Sequence, residues 1–325
     1  MEENKKKKIR IGLLGCGRVA GNHILAVNRC SSVEITAVAG GRHAKELGER
    51  LGVPVLQGGE LCGSGLVDGV CILTPPQYHY DYAMEAIQAG KHVLVEKPVS
   101  FSVNEILEMD SAAEKKGVVC MPGHSYLYLP ELMRMKEVQK DGRLGSPGYL
   151  YMSETYYMNH ELSAKYTGPE TDVLCHQLYL SLAFLGIPKR ISAFRTEIQE
   201  QEGQMGGPQV AVMLEYENGA IVQILVCWAM EDHTSDPWTF KIKMLGTKGS
   251  MHFSRRDFVE NLGMGYDQSL YQEMFDREMR WFAEECIGKG NQPLSTMKDA
   301  AWVCRLHGMI LEAVKEKKIV EVHKD

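Results

Sequence analysis

The first third of the chain alternates short apolar runs with longer amphipathic stretches. Apolar runs of strand length occupy residues 9–14, 33–39, 53–56, 69–73, 93–95 and 118–121. Apolar residues recur at helical spacing in the stretches 24–29, 44–51, 78–89 and 103–115. Strands that alternate with helices are typical of a doubly wound parallel sheet, so the pattern predicts an α/β domain.

After residue 122 the pattern changes to a run of strands with few helices between them. Strands are predicted at 149–157, 190–200, 210–216, 220–227, 240–245 and 250–253. Helices are predicted at 130–140, 172–184, 272–287 and 296–315. Asn218-Gly219, between two of the strands, is a strong hairpin signal. We therefore predict two domains, an α/β domain at 1–122 and an α+β domain with a mostly antiparallel sheet at 123–325.

A glycine pattern joins the first predicted strand to the first helix. Gly15, Gly17 and Ala20 form G-x-G-x-x-A, with Arg18 and Val19 inside the same turn. In such a turn the first glycine makes the bend, the second admits a pyrophosphate, and the alanine lets helix and strand pack closely. The helix N-terminus also favours phosphate. The pattern predicts a dinucleotide site, and the alternative is a glycine-rich turn without a ligand.

A lysine stands at the end of a buried strand, where Val95 is followed by Glu96, Lys97 and Pro98. Ligands of open α/β sheets bind beyond the carboxyl ends of the strands. Pro98 restricts Lys97 to an extended backbone, so its side chain leaves the strand in a set direction. Lys97 is therefore a candidate site residue, and the alternative is a solvated lysine paired with a neighbouring acid.

Asp172 and His176 form a second candidate pair. Their i, i+4 spacing on one predicted helix would aim both side chains at one spot. The alternative is that Asp172 caps the helix while His176 is a core residue. Alcohol oxidation needs a base such as histidine, while an ammonium like that of Lys97 stabilises alkoxide charge. We therefore group Lys97, Asp172 and His176 as candidate catalytic residues, with Asp172 orienting the imidazole or a substrate hydroxyl.

Charge and cysteine content narrow the class of protein. A net charge of −6 argues against binding to nucleic acid or to an anionic membrane. The sequence offers no apolar run long enough to cross a bilayer and no signal-peptide core before Gly15. Its nine cysteines include no C-x-x-C pair, which favours reduced thiols and a cytoplasmic location. Cys175 beside His176 is too little for a metal site, so no metal is predicted.

Taken together, these motifs resemble the Gfo/Idh/MocA family of glucose-fructose oxidoreductases and inositol dehydrogenases. The resemblance covers essentially the whole chain and rests on Gly15-x-Gly17-x-x-Ala20, Thr74-Pro75-Pro76-x-x-His79, Glu96-Lys97-Pro98 and Asp172-x-x-x-His176. It implies an N-terminal Rossmann domain and a C-terminal α+β domain whose large open sheet often mediates oligomerisation, hence a homodimer or homotetramer. It also implies a hydride-transfer site between the two domains.

The resemblance further implies roles for individual residues. Lys97 would polarise the hydroxyl, His176 would accept its proton, and Asp172 would orient or bind the substrate. An NAD(P) cofactor would lie along the glycine turn and along a second set of residues, namely Gly40, Arg42, Thr74, Pro75, His79, Glu96 and Lys97. The implied substrates are sugars, cyclitols or their derivatives.

Two departures from the family pattern bear on specificity. Many members carry an acid after the second strand, but here Gly40-Gly41-Arg42 follows it. The missing carboxylate and the cation of Arg42 favour NADP over NAD, unless Arg42 simply points to solvent. The loop before Asp172 holds Pro169 and Glu170 where relatives are richer in glycine.

That loop predicts that the opening of the substrate site, here called the substrate mouth, differs in shape from the opening in relatives. Aromatic rings suit the apolar faces of sugars, so candidates to line the mouth are Tyr126, Tyr128, Tyr156, Tyr157 and His160. The alternative is that these tyrosines belong to the sheet and the core.

The function predicted from the sequence is hydride transfer between NAD(P) and a secondary hydroxyl carbon of a sugar, cyclitol or glycoside. One alternative enzyme retains its cofactor and uses transient oxidation to enable elimination or cleavage of a glycoside. A non-catalytic regulator that senses nucleotide or sugar is a third reading, which the presence of Lys97, Asp172 and His176 disfavours.

Overall fold

The computed structural model describes residues 7–158, 160–164, 166–200, 206–230, 240–254 and 269–324. The chain forms two compact units, Met1–Leu129 with Ser269–Cys304, and Pro130–Gln268 with Arg305–Asp325. This division differs from the predicted single boundary after residue 122. Met297, Ala300 and Ala301 are buried in the same core as the amino-terminal strands, so a distant segment completes the first unit.

The described residues contain thirteen strands and eleven α-helices. The strands are β1 (Ile9–Leu14), β2 (Val33–Ala39), β3 (Val55–Leu56), β4 (Gly69–Ile72), β5 (His92–Val95), β6 (Cys120–Pro122), β7 (Pro147–Thr155), β8 (Arg190–Ile198), β9 (Gly207–Glu215), β10 (Ile221–Cys227), β11 (Lys241–Gly246), β12 (Ser250–Ser254) and β13 (Val320–Glu321). The helices are α1 (Ala20–Asn28), α2 (Ala44–Leu51), α3 (Gly58–Gly63), α4 (His79–Gln88), α5 (Val103–Lys116), α6 (Pro130–Lys140), α7 (His160–Ser163), α8 (Pro169–Asp172), α9 (Leu174–Leu185), α10 (Ser269–Arg280) and α11 (Met297–Glu316).

The first unit is built on a six-stranded parallel sheet in the order β3-β2-β1-β4-β5-β6. This confirms the predicted parallel Rossmann sheet. Leu14, Ile72, Val95 and Pro122 lie side by side in register at the carboxyl ends of four strands. Loops that leave these positions therefore emerge at one edge of the sheet, where an open α/β fold binds ligands.

Local signals set the ends of the helices in this unit. The side chain of Ser102 accepts a hydrogen bond from the Glu105 amide at the start of α5, and Gly117 ends that helix at a φ of +66°. Gly52 ends α2 in the same way at +68°. A short helix missing from the prediction, α3, begins with a capping box between Gln57 and Glu60.

The carboxyl-terminal part of the first unit packs against its amino-terminal half. Helix α10 lies on α1 and on a short 3₁₀ helix, Ser125–Tyr128. Asn22 on α1 donates to the Gln272 side chain at 2.9 Å, and Arg29 pairs with Asp276 at the same distance. After α10 the chain continues through a π-helical segment, Trp281–Ile287.

The second unit carries a seven-stranded sheet in the order β12-β11-β7-β10-β9-β8-β13. Neighbouring strands are antiparallel except for β7 and β10, which confirms the predicted mostly antiparallel sheet. The hairpin at Asn218-Gly219 joins β9 to β10 and is also confirmed. Gly219 has a φ of +80°, and the Asn218 side chain accepts a hydrogen bond from the Ala220 amide.

One face of this sheet is covered and the other is more exposed. Alternate residues such as Leu150, Val212 and Ile224 are fully buried, and the mainly apolar α9 packs on β7 and β10. Large apolar side chains are exposed at Phe194 and Met213, which lie on β8 and β9. The sheet therefore has an apolar inner layer, and its other face carries exposed apolar side chains among the residues that the structure describes.

The helix predicted at 172–184 is confirmed over residues 174–184, but Asp172 does not belong to it. The structure has two helices, α8 ending at Asp172 and α9 beginning at Leu174, with Val173 between them at φ −110° and ψ −50°. The Val173 amide donates to the Pro169 carbonyl, four residues back, and the His176 amide donates to the Val173 carbonyl, three residues back. Asp172 therefore ends a one-turn helix, and the expected i, i+4 relation to His176 within one helix does not exist.

Three further findings concern the whole described chain. All nine cysteines are within it and are free thiols; the cytoplasmic location inferred from them stays a prediction. In the described ranges, no helix combines the length and the apolar character that a bilayer crossing requires. Across the same ranges, no three histidine, cysteine or carboxylate side chains cluster as metal ligands would.

Candidate functional site

The turn after β1 leaves no room for a side chain at Gly15. Gly15 has a φ of +109°, and a Cβ there would lie 2.6 Å from the carbonyl carbon and oxygen of Leu73. The Gly15 amide donates to the Ala39 carbonyl at 2.8 Å. The turn is thus held against the loops that follow β2 and β4, and only glycine fits this close approach.

Gly17, in contrast to Gly15, has space for a side chain. A Cβ at Gly17 would find no atom within 4 Å, so this position faces open space. Within the described residues, the amides of Gly17, Arg18 and Val19 donate to no protein acceptor, and no side chain caps α1. Free amides at a helix N-terminus attract an anion. The turn can therefore hold a phosphate group without rearrangement.

A cleft of about 650 Å³ opens beside this turn in the first unit. Seven of the predicted cofactor residues line it, namely Gly15, Gly17, Arg18, Ala20, Arg42, Thr74 and Pro75. Nine residues that sequence reasoning missed line it too, namely Cys16, Gly21, Ile24, Gly41, His43, Glu46, Leu47, Arg50 and Leu73. The structure thus brings the glycine turn, the segment after β2 and the segment after β4 to one cavity.

The hydroxyl of Thr74 indicates that this cleft is built for a polar ligand. Its oxygen is buried and has no hydrogen-bond partner among the described residues. A buried hydroxyl without a partner costs free energy, which a ligand in the cleft would recover by supplying the bond. With the open position at Gly17, this fits a dinucleotide cofactor.

Arg42 lies at the far end of the cleft with other charged groups. Its Nε donates to His43 Nε2 at 3.0 Å, and His43 lies 3.6 Å from Glu46. Arg50 lines the same cleft from the last turn of α2. The spacing of Arg42, Glu46 and Arg50 at i, i+4 and i+8 was the sequence signal that they share one side of this segment.

Five of the predicted cofactor residues do not line the cleft, namely Val19, Gly40, His79, Glu96 and Lys97. Val19 is the N-cap of α1, and Gly40 directly follows β2 with a φ of +73°. His79 is 1% exposed, with Nε2 2.7 Å from the Thr74 carbonyl and Nδ1 3.0 Å from the Pro98 carbonyl. Burial lowers the pKa of His79. Its ring therefore ties the loop after β4 to the loop after β5.

Glu96 and Lys97 leave the end of β5 beside a buried histidine. Glu96 Oε1 lies 2.9 Å from His23 Nε2, and its Oε2 accepts from the Lys97 amide at 3.0 Å. Burial works to raise the pKa of Glu96, but the hydrogen bond and charge of His23, with the charge of Lys97, bring it below its usual range. Glu96 is thus an ionised carboxylate, and Lys97 is half-buried beside it.

Two further ionisable groups of the first unit are buried near this pair. His124 lies 2.7 Å through Nδ1 from Ser295 Oγ. Burial, reinforced by the charge of Lys97, lowers the pKa of His124 to about 3, although the charge of Glu96 opposes this. Glu278 on α10 is fully buried, and both of its oxygens lack a partner in the described chain.

The pKa of Glu278 lies well above its usual range, because burial disfavours the carboxylate and the charge of Glu96 adds repulsion. Glu278 is therefore a neutral acid. The sequence carried no signal for it, because the residues around it come from distant parts of the chain.

In the second unit, the Asp172 carboxylate accepts hydrogen bonds from the backbone of its own turn. Its Oδ2 accepts from the Thr167 amide at 3.0 Å and the Gly168 amide at 3.2 Å. These two amides precede α8, whose last residue is Asp172, so the bonds are not the helix N-cap of the predicted alternative.

His176 lies on α9 and is 8% exposed. Its Nδ1 is 2.7 Å from the Tyr179 hydroxyl, and the two rings meet edge to face at 5.5 Å. Because one ring nitrogen faces Tyr179, the chemistry of His176 depends on Nε2.

The residues predicted to line the substrate mouth are divided between the two units. Tyr126 and Tyr128 are almost fully buried in the first unit. Tyr156 lies in the second unit, where its hydroxyl accepts from Trp228 Nε1 at 3.0 Å, and Tyr157 is 44% exposed. His160 begins α7, but its side chain lies outside the part that the structure describes.

Comparison with known families agrees with this architecture. The model described as an oxidoreductase family with an NAD-binding Rossmann fold, Gfo/Idh/MocA, matches residues 9–124. The model of the Gfo/Idh/MocA C-terminal domain matches residues 132–252. Together they cover more than half of the chain.

Two relatives that match over most of their length are distant in sequence. The chain is 24% identical to scyllo-inositol 2-dehydrogenase (NAD(+)) of Bacillus subtilis, covering 90% of each chain. It is 24% identical to D-xylose 1-dehydrogenase (NADP(+)) 2 of Haloferax volcanii, over 96% of this chain and 99% of the relative. A solved oxidoreductase from Agrobacterium radiobacter, in complex with NAD+, L-tartaric acid and magnesium, matches with a TM-score of 0.84 at 18% identity, over 97% of this chain and 98% of that one.

Proposed function

Because the chain belongs to the Gfo/Idh/MocA family of NAD-binding oxidoreductases, we propose that it interconverts a secondary hydroxyl and a ketone on a sugar, cyclitol or glycoside, using NADP. The observation that carries this proposal is the cleft beside Gly17, with its free amides and the unpartnered Thr74 hydroxyl. When bound there, the nicotinamide supplies the group that exchanges hydride. Relatives named for scyllo-inositol and D-xylose support the substrate class.

Within this proposal, three residues act on the reacting hydroxyl. Lys97 donates a hydrogen bond to the oxygen and stabilises its negative charge, as a fixed cation does for a developing alkoxide. Asp172 accepts a hydrogen bond from a substrate hydroxyl and so orients the ring. His176 takes the hydroxyl proton on Nε2, which requires that Nδ1 carries its proton and donates it to the Tyr179 oxygen.

Replacing Gly17 with alanine should strongly weaken nucleotide binding without unfolding the protein. The added methyl group meets no protein atom, so the fold tolerates it, but it occupies the space that a pyrophosphate needs. We expect the Kd for NADP and NAD to rise by about 100-fold, or about 2.7 kcal/mol. Isothermal titration calorimetry measures it, with thermal unfolding as the check on folding.

The matched control is Gly63→Ala, which adds the same methyl group to open space in α3, away from the cleft. It should bind nucleotide like the parent protein. Unchanged binding in Gly17→Ala would show that the cofactor does not approach this turn. The parent protein is then screened for nicotinamide reduction with scyllo-inositol, D-xylose and related compounds. Nucleotide binding without reduction of any of them would contradict the proposed oxidoreductase reaction.

Removing the cation at Arg42 should change cofactor selectivity. We propose that Arg42 pairs with the 2′-phosphate of NADP, supported by its place on the cleft and by the absence of an acid after β2. Arg42→Ala should then raise the Kd for NADP by about 10- to 100-fold and leave the Kd for NAD within about twofold, as expected for loss of a charge-assisted bond. Titration with both nucleotides measures the ratio.

Arg29→Ala is the control for Arg42, because it removes an exposed arginine of the same unit that does not line the cleft. It should leave the ratio of the two Kd values unchanged. A parent protein that binds NAD much more tightly than NADP would contradict the assignment of Arg42.

We also propose that the protein is a homodimer or homotetramer formed through the outer face of the sheet in the second unit. The exposed apolar side chains of Phe194 and Met213 on that face support this. Light scattering of the purified protein gives the mass, and a monomer at micromolar concentration would contradict it.

A further inference from the structure

The position of the Asp172 carboxylate depends on a short turn and not on the long helix that carries His176. Helix α8 has only four residues, and the break at Val173 separates it from α9. Asp172 accepts from the Thr167 and Gly168 amides, so its carboxylate moves with the backbone of residues 167–172. Whatever holds this turn in place therefore sets where Asp172 points.

An ion pair fastens this turn to the sheet of the second unit. Arg195 on β8 donates through Nε to Glu170 Oε1 at 3.0 Å, and the Glu170 side chain is only 12% exposed. The other Glu170 oxygen is buried without a described partner and lies over Gly168, where a Cβ would come within 2.6 Å of it. Glu170 is thus clamped between the sheet and the backbone that Asp172 caps.

Arg195 is itself held in place, because its Nη1 lies 2.7 Å from Glu197 on the same strand. A guanidinium presents its donors in a rigid plane, so a second carboxylate fixes the direction in which the first is held. On the other side of the turn, Thr171 Oγ1 lies 3.5 Å from His307 Nε2 on α11, a much longer contact. The Arg195–Glu170 pair therefore ties this turn to the sheet more closely than the Thr171–His307 contact ties it to α11.

We propose that Arg195 is a positioning residue for substrate recognition. Through Glu170 it fixes the turn at residues 167–172, and thereby holds the Asp172 carboxylate in the direction that accepts a sugar or cyclitol hydroxyl. This inference rests on the function proposed above and deepens it. The hydroxyl pattern that the protein accepts is then set by a residue that does not touch the substrate.

The test compares Arg195→Gln and Glu170→Gln with Arg190→Gln. Arg190 lies on the same strand and makes an equally close two-bond pair with Glu215, so its loss controls for a broken ion pair on β8. With whichever of scyllo-inositol and D-xylose the parent protein turns over better, both test variants should raise KM about tenfold and leave kcat within about threefold. Arg190→Gln should leave both constants unchanged, and Arg195→Lys should recover part of the loss.

A structural readout separates this inference from the proposed function. Hydrogen exchange at the Thr167 and Gly168 amides should be faster in Arg195→Gln and unchanged in Arg190→Gln, whether or not the protein turns over a sugar. A parent protein without turnover would contradict the proposed function alone, and hydrogen exchange would still test whether Arg195 holds the turn. Unchanged exchange in Arg195→Gln would show that Arg195 does not hold the turn. Faster exchange with an unchanged KM would show that the turn is held by Arg195 but does not affect substrate recognition.

Discussion

Lys97→Met should lower kcat for the sugar or cyclitol by about 10²- to 10³-fold, the usual effect of removing one donor to a developing oxyanion. Methionine keeps much of the side-chain volume but cannot donate a hydrogen bond or stabilise negative charge. Lys97 follows Glu96 at the carboxyl end of β5, on the edge where the glycine turn and Thr74 also emerge. Steady-state kinetics on the best substrate measures the loss, and nucleotide titration should show a Kd close to that of the parent.

The control for Lys97 is Lys91→Met. Lys91 lies just before β5, at the opposite end of the same strand, and donates to the Val67 carbonyl at 2.9 Å. It removes the same charge and the same donor without reaching the carboxyl edge of the sheet, so kcat should stay within about twofold of the parent. Equal losses in the two variants would assign the effect to net charge or folding. A Lys97→Met protein with full activity would end the catalytic assignment.

Glu278→Gln should stabilise the protein, and by a margin that widens as the pH rises. Glu278 is fully buried with no partner for either oxygen among the described residues, and its pKa lies well above the usual range because of burial and the charge of Glu96. In the folded protein the acid keeps its proton. In the unfolded chain it ionises near pH 4.5. Glutamine has nearly the same shape and no proton to lose.

The sign of the pH dependence follows from proton counting. Above the unfolded pKa of Glu278, the folded state binds one proton more than the unfolded state, so stability falls as pH rises until the folded pKa is reached. The fall is about 1.4 kcal/mol per pH unit, and Glu278→Gln lacks it. Denaturant titrations of both proteins from about pH 5 upward should therefore show a stability difference that grows with pH until the folded pKa of Glu278 is reached.

Glu273→Gln is the control for Glu278, since Glu273 lies on the same helix but is partly exposed and paired with Arg277. It should show no such slope. A difference between Glu278→Gln and the parent protein that does not change with pH would mean that Glu278 is ionised in the folded state.

Elements with strong periodicity and a clear stop signal were predictable from the sequence. The bounds predicted for β2 and α2 are those observed, and α2 ends at Gly52, whose positive φ suits glycine alone. Helix α3 was missed because it is short and begins with two glycines, so propensity argued against it. The break at Val173 was missed because an unbroken apolar pattern hid the change in hydrogen bonding.

In the candidate site, too, features set by neighbouring residues were predictable and features set by distant residues were not. Gly15 and Gly17 were predictable because their chemistry depends on residues next to them in sequence. The partner of Glu96 was not, because His23 lies 73 positions away and approaches only through packing of α1 on the sheet. Glu278 and the completion of the first unit by Ser269–Cys304 depend on contacts across still longer separations, which hydrophobic periodicity does not encode.

The break at Val173 also affects which parts of the second unit can change in sequence independently of each other. Residues 166–172 form a short surface-reaching turn, while the residues of α9 are almost all buried. Because the helix starts afresh at Leu174, substitutions in the turn do not shift the apolar face that α9 presents to its sheet. Residues of the turn can therefore be replaced while the core of the second unit keeps its packing. Under the proposed role of Asp172, substrate preference and core stability are thus carried by separate segments of the chain.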